Sequence, residues 1–239
     1  MNQQMIKRPE FEEVAENLKE IRYNVKNAVA KYRDPAEHVD IMAVTKTVDP
    51  EKINFAVSQG ILLLGENRVQ EYLSKKDFYD KKAQVHFIGH LQTNKVKYII
   101  NDVTMIQSVD SLKLAGEINK HAAANGRVMD ILIEVNIGDE TSKSGISRSS
   151  LFELAKQVSE LDSIRLRGLM AIPPIGCDEG VFERMRELYN ELKESYPHKS
   201  VDTLSMGMSG DYELAIKHGS NLIRIGTKLF GARKYLEVL

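Results

Sequence analysis

A single cysteine, Cys177, among 239 residues excludes an intramolecular disulfide framework and a multi-cysteine metal site, and it suits a reducing cytosol. Net charge is scarce too. Thirty-three Lys and Arg against 34 Asp and Glu leave a formal −1, so no global field draws the chain to nucleic acid or to a membrane. The basic residues are scattered among acidic ones, without an RNA-reading aromatic–basic motif. No apolar run approaches the ~18 residues of a membrane span, and Met1-Asn2-Gln3-Gln4 lacks the apolar core of a signal peptide. A soluble cytoplasmic protein is expected, with neither nucleic-acid nor membrane partners.

What is present is a regular alternation. Phe11, Val14, Leu18, Ile21, Val25 and Ala28 recur at steps of three and four, which predicts an amphipathic helix over about 10–33. Strand candidates then follow at 39–46, 62–68, 84–90, 105–109, 129–136, 165–172, 203–207 and 221–226, with seven intervening helical segments. Asp49 before Pro50 has the form of an N-cap, and Ser150 with Glu153 has capping-box spacing. Asn125-Gly126 and His218-Gly219 look like helix stops. Several strands are apolar on both faces, as parallel strands covered by helices should be. Eight successive βα units favour a closed (β/α)₈ barrel over an open sheet. One domain is expected over residues 1–239, with the barrel over about 39–231.

In such a barrel the active residues gather at the carboxyl ends of the strands, and phosphate commonly binds after the seventh and eighth. Lys46 ends the first strand, where an ammonium is costly unless it has a task; desolvation favours the neutral amine that attacks carbonyls. Met208-Ser209-Gly210-Asp211 and Arg224-Ile225-Gly226-Thr227 end the last two strands. As turns they are ordinary, but Gly210 and Gly226 would let backbone N–H groups approach an anion, with the Ser209 and Thr227 hydroxyls as further donors. A carbonyl-seeking lysine beside a phosphate cradle points to pyridoxal 5′-phosphate (PLP). Arg224 shares a strand face with Gly226, and two readings of it stand: a salt bridge to Glu134, or a donor to the pyridine nitrogen of the cofactor. Asn67 could donate to the ligand from the end of the second strand. His86 and His90 share a face, without a third ligand for zinc, so His90 is ligand-facing or structural. Asn136 is favoured over Glu134 as a ligand contact because it lies nearer the mouth. The 139–145 loop is polar, a solvated loop or a lid.

With these motifs assembled, the chain resembles the YggS/PROSC family of pyridoxal phosphate homeostasis proteins (YlmE-like among Gram-positive relatives). The matching segments are Ala43-Val44-Thr45-Lys46, Gly65-Glu66-Asn67-Arg68-Val69-Gln70-Glu71, His86-Phe87-Ile88-Gly89-His90-Leu91-Gln92-Thr93-Asn94-Lys95, Glu134-Val135-Asn136-Ile137, Gly168-Leu169-Met170, Met206 through Asp211, and Arg224 through Thr227 with Phe230-Gly231. The resemblance implies a fold type III PLP barrel similar to the N-terminal domain of alanine racemase, without the C-terminal β-domain. It implies an aldimine on Lys46 and phosphate held by Ser209, Gly210, Gly226 and Thr227. Arg224 would face the pyridine nitrogen, with Asn67 and Met206 lining the ring pocket. The implied role is to bind and deliver PLP in vitamin B6 homeostasis and amino-acid balance, as a monomer acting on PLP-requiring apoenzymes and free amino acids. No catalytic residue and no metal site is assigned.

Two other classes compete: a PLP-dependent amino-acid racemase or decarboxylase, and a cofactor-free aldolase forming a Schiff base with a phosphorylated sugar. Against racemisation, Lys46 serves one face of the cofactor, and the 13 residues after Gly226 are too few for a domain carrying a second base.

Overall fold

The computed structural model describes residues 8–140, 144–196 and 201–232. Eight parallel strands close into one barrel in chain order: β1 (Asp40–Val44), β2 (Leu63–Glu66), β3 (Gln84–Phe87), β4 (Met105–Val109), β5 (Met129–Val135), β6 (Ile164–Ala171), β7 (Thr203–Ser205) and β8 (Leu222–Ile225). The seam is β8 against β1, with Met42 opposite Arg224 and Ala43 opposite Ile225. The expected eight strands are all there, each within two or three residues of its predicted ends.

Helices α2 (Pro50–Ser58), α3 (Val69–Lys75), α4 (Leu112–Ala124), α5 (Leu151–Ser159), α6 (Glu179–Ser195), α7 (Tyr212–Lys217) and α8 (Thr227–Phe230) cover the outside. Asp49 caps α2 as expected, accepting from the Glu51 N–H at 2.8 Å. Two local expectations need correction. Ser150 does not cap α5: it sits in a preceding 3₁₀ turn, and its hydroxyl meets that of Ser147. The connection from β3 to β4 is a 3₁₀ turn, Thr93–Tyr98, rather than an α-helix, because so short a segment buries only Val96.

The strand pleat sorts the core into two layers. Met42, Ile88 and Leu222 form one apolar cluster, and Met105, Leu132 and Met170 form another, both separate from the main core. The alternate residues, among them Ala43, Leu64, Phe87, Ile131, Leu204 and Ile223, join the helices in that main core. Gly168 lets β6 lie against β7: its φ is +145°, and a Cβ there would stand 1.9 Å from the Thr203 carbonyl oxygen.

The first helix, α1 (Pro9–Tyr32), buries the predicted stripe completely. Polar ties fix what it packs on. Asn17 Nδ2 donates to the Leu229 carbonyl at 3.2 Å, Asn24 Nδ2 donates to the Tyr212 hydroxyl at 3.1 Å, and Glu20 pairs with Lys228 at 2.9 Å. Helix α1 thus grips α7 and α8, the helices that follow the two glycine turns.

Candidate functional site

The register of β1 and β8 places Met42, Val44 and Lys46 on one pleat face, with Leu222, Arg224 and Gly226 beside them on the facing strand. Lys46 is half-buried at the carboxyl mouth. It lines a cavity of about 630 Å³ together with Thr47, Gly226 and Thr227, with Glu10 and Glu13 of α1 also on its wall. At Gly226 a Cβ would meet Val44 only at ordinary contact, 3.5 Å, so the protein's own packing does not require glycine there. The missing side chain leaves space in the cavity.

The backbone around Lys46 is clamped from behind. Lys75 Nζ donates to the Thr45 carbonyl at 2.9 Å and to Glu71 Oε1 at 2.8 Å, and Glu71 in turn accepts the Thr47 N–H. The Thr45 hydroxyl donates to Glu66 Oε1 at 2.6 Å, and Glu66 is fully buried, 3.4 Å from the Lys75 ammonium. Burial works against ionisation of Glu71, but Lys75 and the Thr47 N–H outweigh it and hold the carboxyl below its usual range. Thr47 adopts φ +62°, a left-handed conformation unusual for a β-branched residue. Both neighbours of Lys46 are therefore pinned, and the pinning residues, Glu66, Glu71 and Lys75, flank Asn67 in the sequence.

Arg224 points into the barrel and is 3% exposed. Its hydrogen-bond partners are neutral: the Ser205 hydroxyl at 2.7 Å and the Ala171 carbonyl at 2.8 Å. The salt bridge to Glu134 is not formed. Glu134 instead accepts from the Ser144 hydroxyl at 2.7 Å, and burial raises its pKa. Burial pushes the guanidinium down to about 10, which still leaves it a cation at neutral pH. A buried cation with neutral partners is suited to an acceptor supplied by a ligand.

Asn67 stands at the same end, and its Oδ1 is buried with no hydrogen-bond partner. An amide can be turned to present either its oxygen or its N–H₂, so this group is a ready contact for a polar ligand atom. The two glycine turns meet across the β7–β8 end: Lys228 N–H donates to Ser209 Oγ at 3.2 Å. The Met208–Asp211 turn is closed by Asp211, which accepts the Met208 N–H at 2.6 Å. Ser209 and Gly210 line a neighbouring cavity of about 470 Å³ with Tyr212 and Lys228.

Met206, Asn136 and His90 do not line the cavity of Lys46. Met206 is fully buried in the sheet–helix layer, on the face of Leu204; Ser205 takes the inward place between them, so the Met206 side chain does not line a ring pocket. The Asn136 amide is engaged with the Glu140 backbone, donating to its carbonyl at 2.8 Å and accepting its N–H at 3.1 Å. His90 lies beyond β3, 65% exposed and 3.9 Å from Asp110, while His86 is buried and lines a cavity at the opposite end of the barrel. Part of the 139–145 loop, residues 141–143, falls outside the described residues; beyond it, Ile146 bridges to Val135. Among the described residues no group of three His, Cys, Asp or Glu is placed to hold a metal ion, and no helix is long and apolar enough to cross a membrane. Sequence reading missed Lys75 and Ser205. The helical spacing of Glu71 and Lys75 was a usable signal; the partner of Ser205 was not, since it is set by barrel closure.

Comparison with known proteins matches this geometry to a family. Residues 17–234 match the family described as alanine racemase, N-terminal domain. A pyridoxal phosphate homeostasis protein from Pasteurella multocida is 39% identical over 229 residues, 93% of this chain and 98% of the relative. One from Aquifex aeolicus is 46% identical over 200 residues, 82% of this chain and 87% of the relative. Among solved structures, PipY of Synechococcus elongatus PCC7942 with PLP bound superimposes with a TM-score of 0.79 at 31% identity, covering 91% of this chain and all of PipY. An alanine racemase of Clostridium difficile, 17% identical with a TM-score of 0.72, shares the fold; this chain covers 59% of it. The chain belongs to the pyridoxal phosphate homeostasis protein family, whose barrel is that of the alanine racemase N-terminal domain.

Proposed function

We propose that this protein binds PLP at the carboxyl mouth of its barrel, as a Schiff base on Lys46, and serves vitamin B6 homeostasis and amino-acid balance rather than efficient turnover. One observation carries the reading: Lys46 and the Gly226-Thr227 turn share a cavity, with the Arg224 cation inward of them on the same face of β8. Condensation of the Lys46 amine with the cofactor's aldehyde would release one water and form the C=N bond. Ser209, Gly210, Gly226 and Thr227 would receive the phosphate, and the unpartnered Asn67 amide would meet a polar atom of the ring. The similarity to pyridoxal phosphate homeostasis proteins and to the PLP-bound PipY structure supports the choice of ligand.

Arg224 favours binding over turnover. A guanidinium only donates, so a ring nitrogen facing it stays unprotonated and the ring remains a weak electron sink. Thr227 and Gly210 at the rim are exposed, which leaves the mouth open to free amino acids and to recipient apoenzymes. We infer a cytoplasmic monomer.

The test is an absorption spectrum and an intact mass before and after borohydride. The unmodified protein should gain one reduced cofactor on the peptide containing Lys46, and Lys46→Ala should gain none. An adduct on another lysine of the unmodified protein would overturn the assignment.

A further inference from the structure

Interiors of (β/α)₈ barrels are usually filled by layers of branched apolar side chains. This one carries a polar file through its middle. Arg224 Nη1 donates to Ser205 Oγ at 2.7 Å, Ser205 Oγ donates to Gln107 Oε1 at 2.7 Å, and Gln107 Nε2 meets His86 Nδ1 at 2.8 Å. The four residues come from β8, β7, β4 and β3. Their exposures are 3% for Arg224, 0% for Ser205 and Gln107, and 8% for His86.

The direction of the file is set by its arginine. A guanidinium cannot accept, so Ser205 must accept a hydrogen bond from it and donate its own single hydroxyl hydrogen onward. Gln107 must then present its oxygen to Ser205 and its N–H₂ to His86. His86 Nδ1 must accept, which makes the imidazole neutral with its proton on Nε2. Burial supports this independently by holding the His86 pKa down to about 4. Turning the amide around would make Ser205 Oγ accept twice and leave its hydroxyl hydrogen without an acceptor in the file.

Packing alone does not call for this arrangement. Apolar residues of similar volume fill such a layer at less cost than four polar groups that must all be satisfied at once. The one member of the file that reaches the ligand end is Arg224, and its two bonds, to Ser205 and to the Ala171 carbonyl, fix the guanidinium plane.

We propose that Ser205 and Gln107 are positioning residues that lock the Arg224 guanidinium in place for the pyridine nitrogen of the cofactor, with His86 as the terminal acceptor of the file. The proposal rests on the PLP reading above, and it extends the site from the mouth to the opposite end of the barrel. Two readouts test it. In the cofactor-free protein, ¹⁵N spectra should show separate, slowly exchanging Nη resonances for Arg224. Ser205→Ala and Gln107→Leu should merge them, and Ser205→Thr, which keeps the hydroxyl, should retain the separation. With PLP, Ser205→Ala and Gln107→Leu should weaken binding by about tenfold, the loss of roughly one hydrogen bond to a charged group. They should also shift the absorption band in the direction that Arg224→Ala shifts it.

An Arg224 signal unchanged in both apolar variants would overturn the proposal, and so would PLP affinity within twofold of the unmodified protein with an unshifted band. Failure of the unmodified protein to take up PLP would overturn the functional reading instead; the cofactor-free spectra still decide whether the file locks the arginine. Should Gln107→Leu not fold, Ser205→Ala decides alone, because it removes one oxygen from the file.

Discussion

The two ends of the barrel are both charged, and they use charge differently. At the amino end a cavity of about 700 Å³ is bordered by Asp130, Arg167 and Asp202. Those groups answer one another: Asp130 pairs with Arg165 at 2.6 Å and with Arg167 at 2.5 Å, and Arg167 also pairs with Asp202 at 2.5 Å. At the carboxyl end the cavity is slightly smaller, and the inward cation, Arg224, has neutral partners. Cavity size therefore does not pick out the binding end. The amino-end network neutralises itself, whereas the charge of Arg224 is not met by its hydrogen-bond partners. The amino-end pairs are also wetter: Arg165 and Asp202 are about half exposed, against 10% for Lys75 and none for Glu66 behind the mouth.

That contrast in burial can be broken most severely at Lys75. Lys75→Met should strand Glu66 and Glu71 without their ammonium and destabilise the fold by about 3–5 kcal/mol, read from urea unfolding. A loss under about 1 kcal/mol would show that the clamp is no stronger than a surface pair. A second effect belongs to the amino end. Burial holds the His86 pKa near 4, below its unfolded value of about 6.5, so the unfolded chain binds the extra proton first as pH falls. Stability from this residue is fully present above pH about 6.5 and is lost progressively toward pH 4, by roughly 3 kcal/mol in all. His86→Gln should flatten that part of the pH–stability curve; an unchanged slope would mean that other groups set it. The smallest effects sharpen the comparison directly. Ser209→Ala and Thr227→Val should each weaken PLP binding by about tenfold while leaving unphosphorylated pyridoxal nearly unaffected. Arg167→Ala should cost about 1 kcal/mol of stability or somewhat more, since its pair with Asp130 is part-buried and that with Asp202 is not, and leave PLP affinity within twofold. Equal losses for PLP and pyridoxal would remove the phosphate role from the two turns.

The barrel was legible because its signals are local. The stripe of α1, the Asp49 cap and the glycine stops each depend on residues within a few positions, and strand parity alone puts Arg224 and Gly226 on one face. What was not legible depends on partners brought in by closure or on the parity of single residues. Met206 was expected in the pocket because it lies in a matching motif, yet one step of the pleat puts its side chain behind the sheet. Asn136 has the right position and the wrong obligation: its amide is spent on the loop that follows. Arg224 was ambiguous for the same reason, since Glu134 and Ser205 lie 90 and 19 residues away in sequence and only the closed barrel chooses between them.

Helix α1 has a consequence for how the protein is made. It is synthesised well before the groups it holds: Tyr212 and Leu229 lie 188 and 212 residues from their partners in α1. The strand that closes the barrel against β1 is equally late. At about 5–20 residues per second, α1 must therefore wait for α7 and α8 with only α2, against which Phe11 stacks on Phe55, made soon after it. The two glycine turns, which follow β7 and β8, are made after the other six strands. A copy that stops short of β8 therefore has neither the seam that closes the barrel nor the Gly226-Thr227 turn that shares a cavity with Lys46.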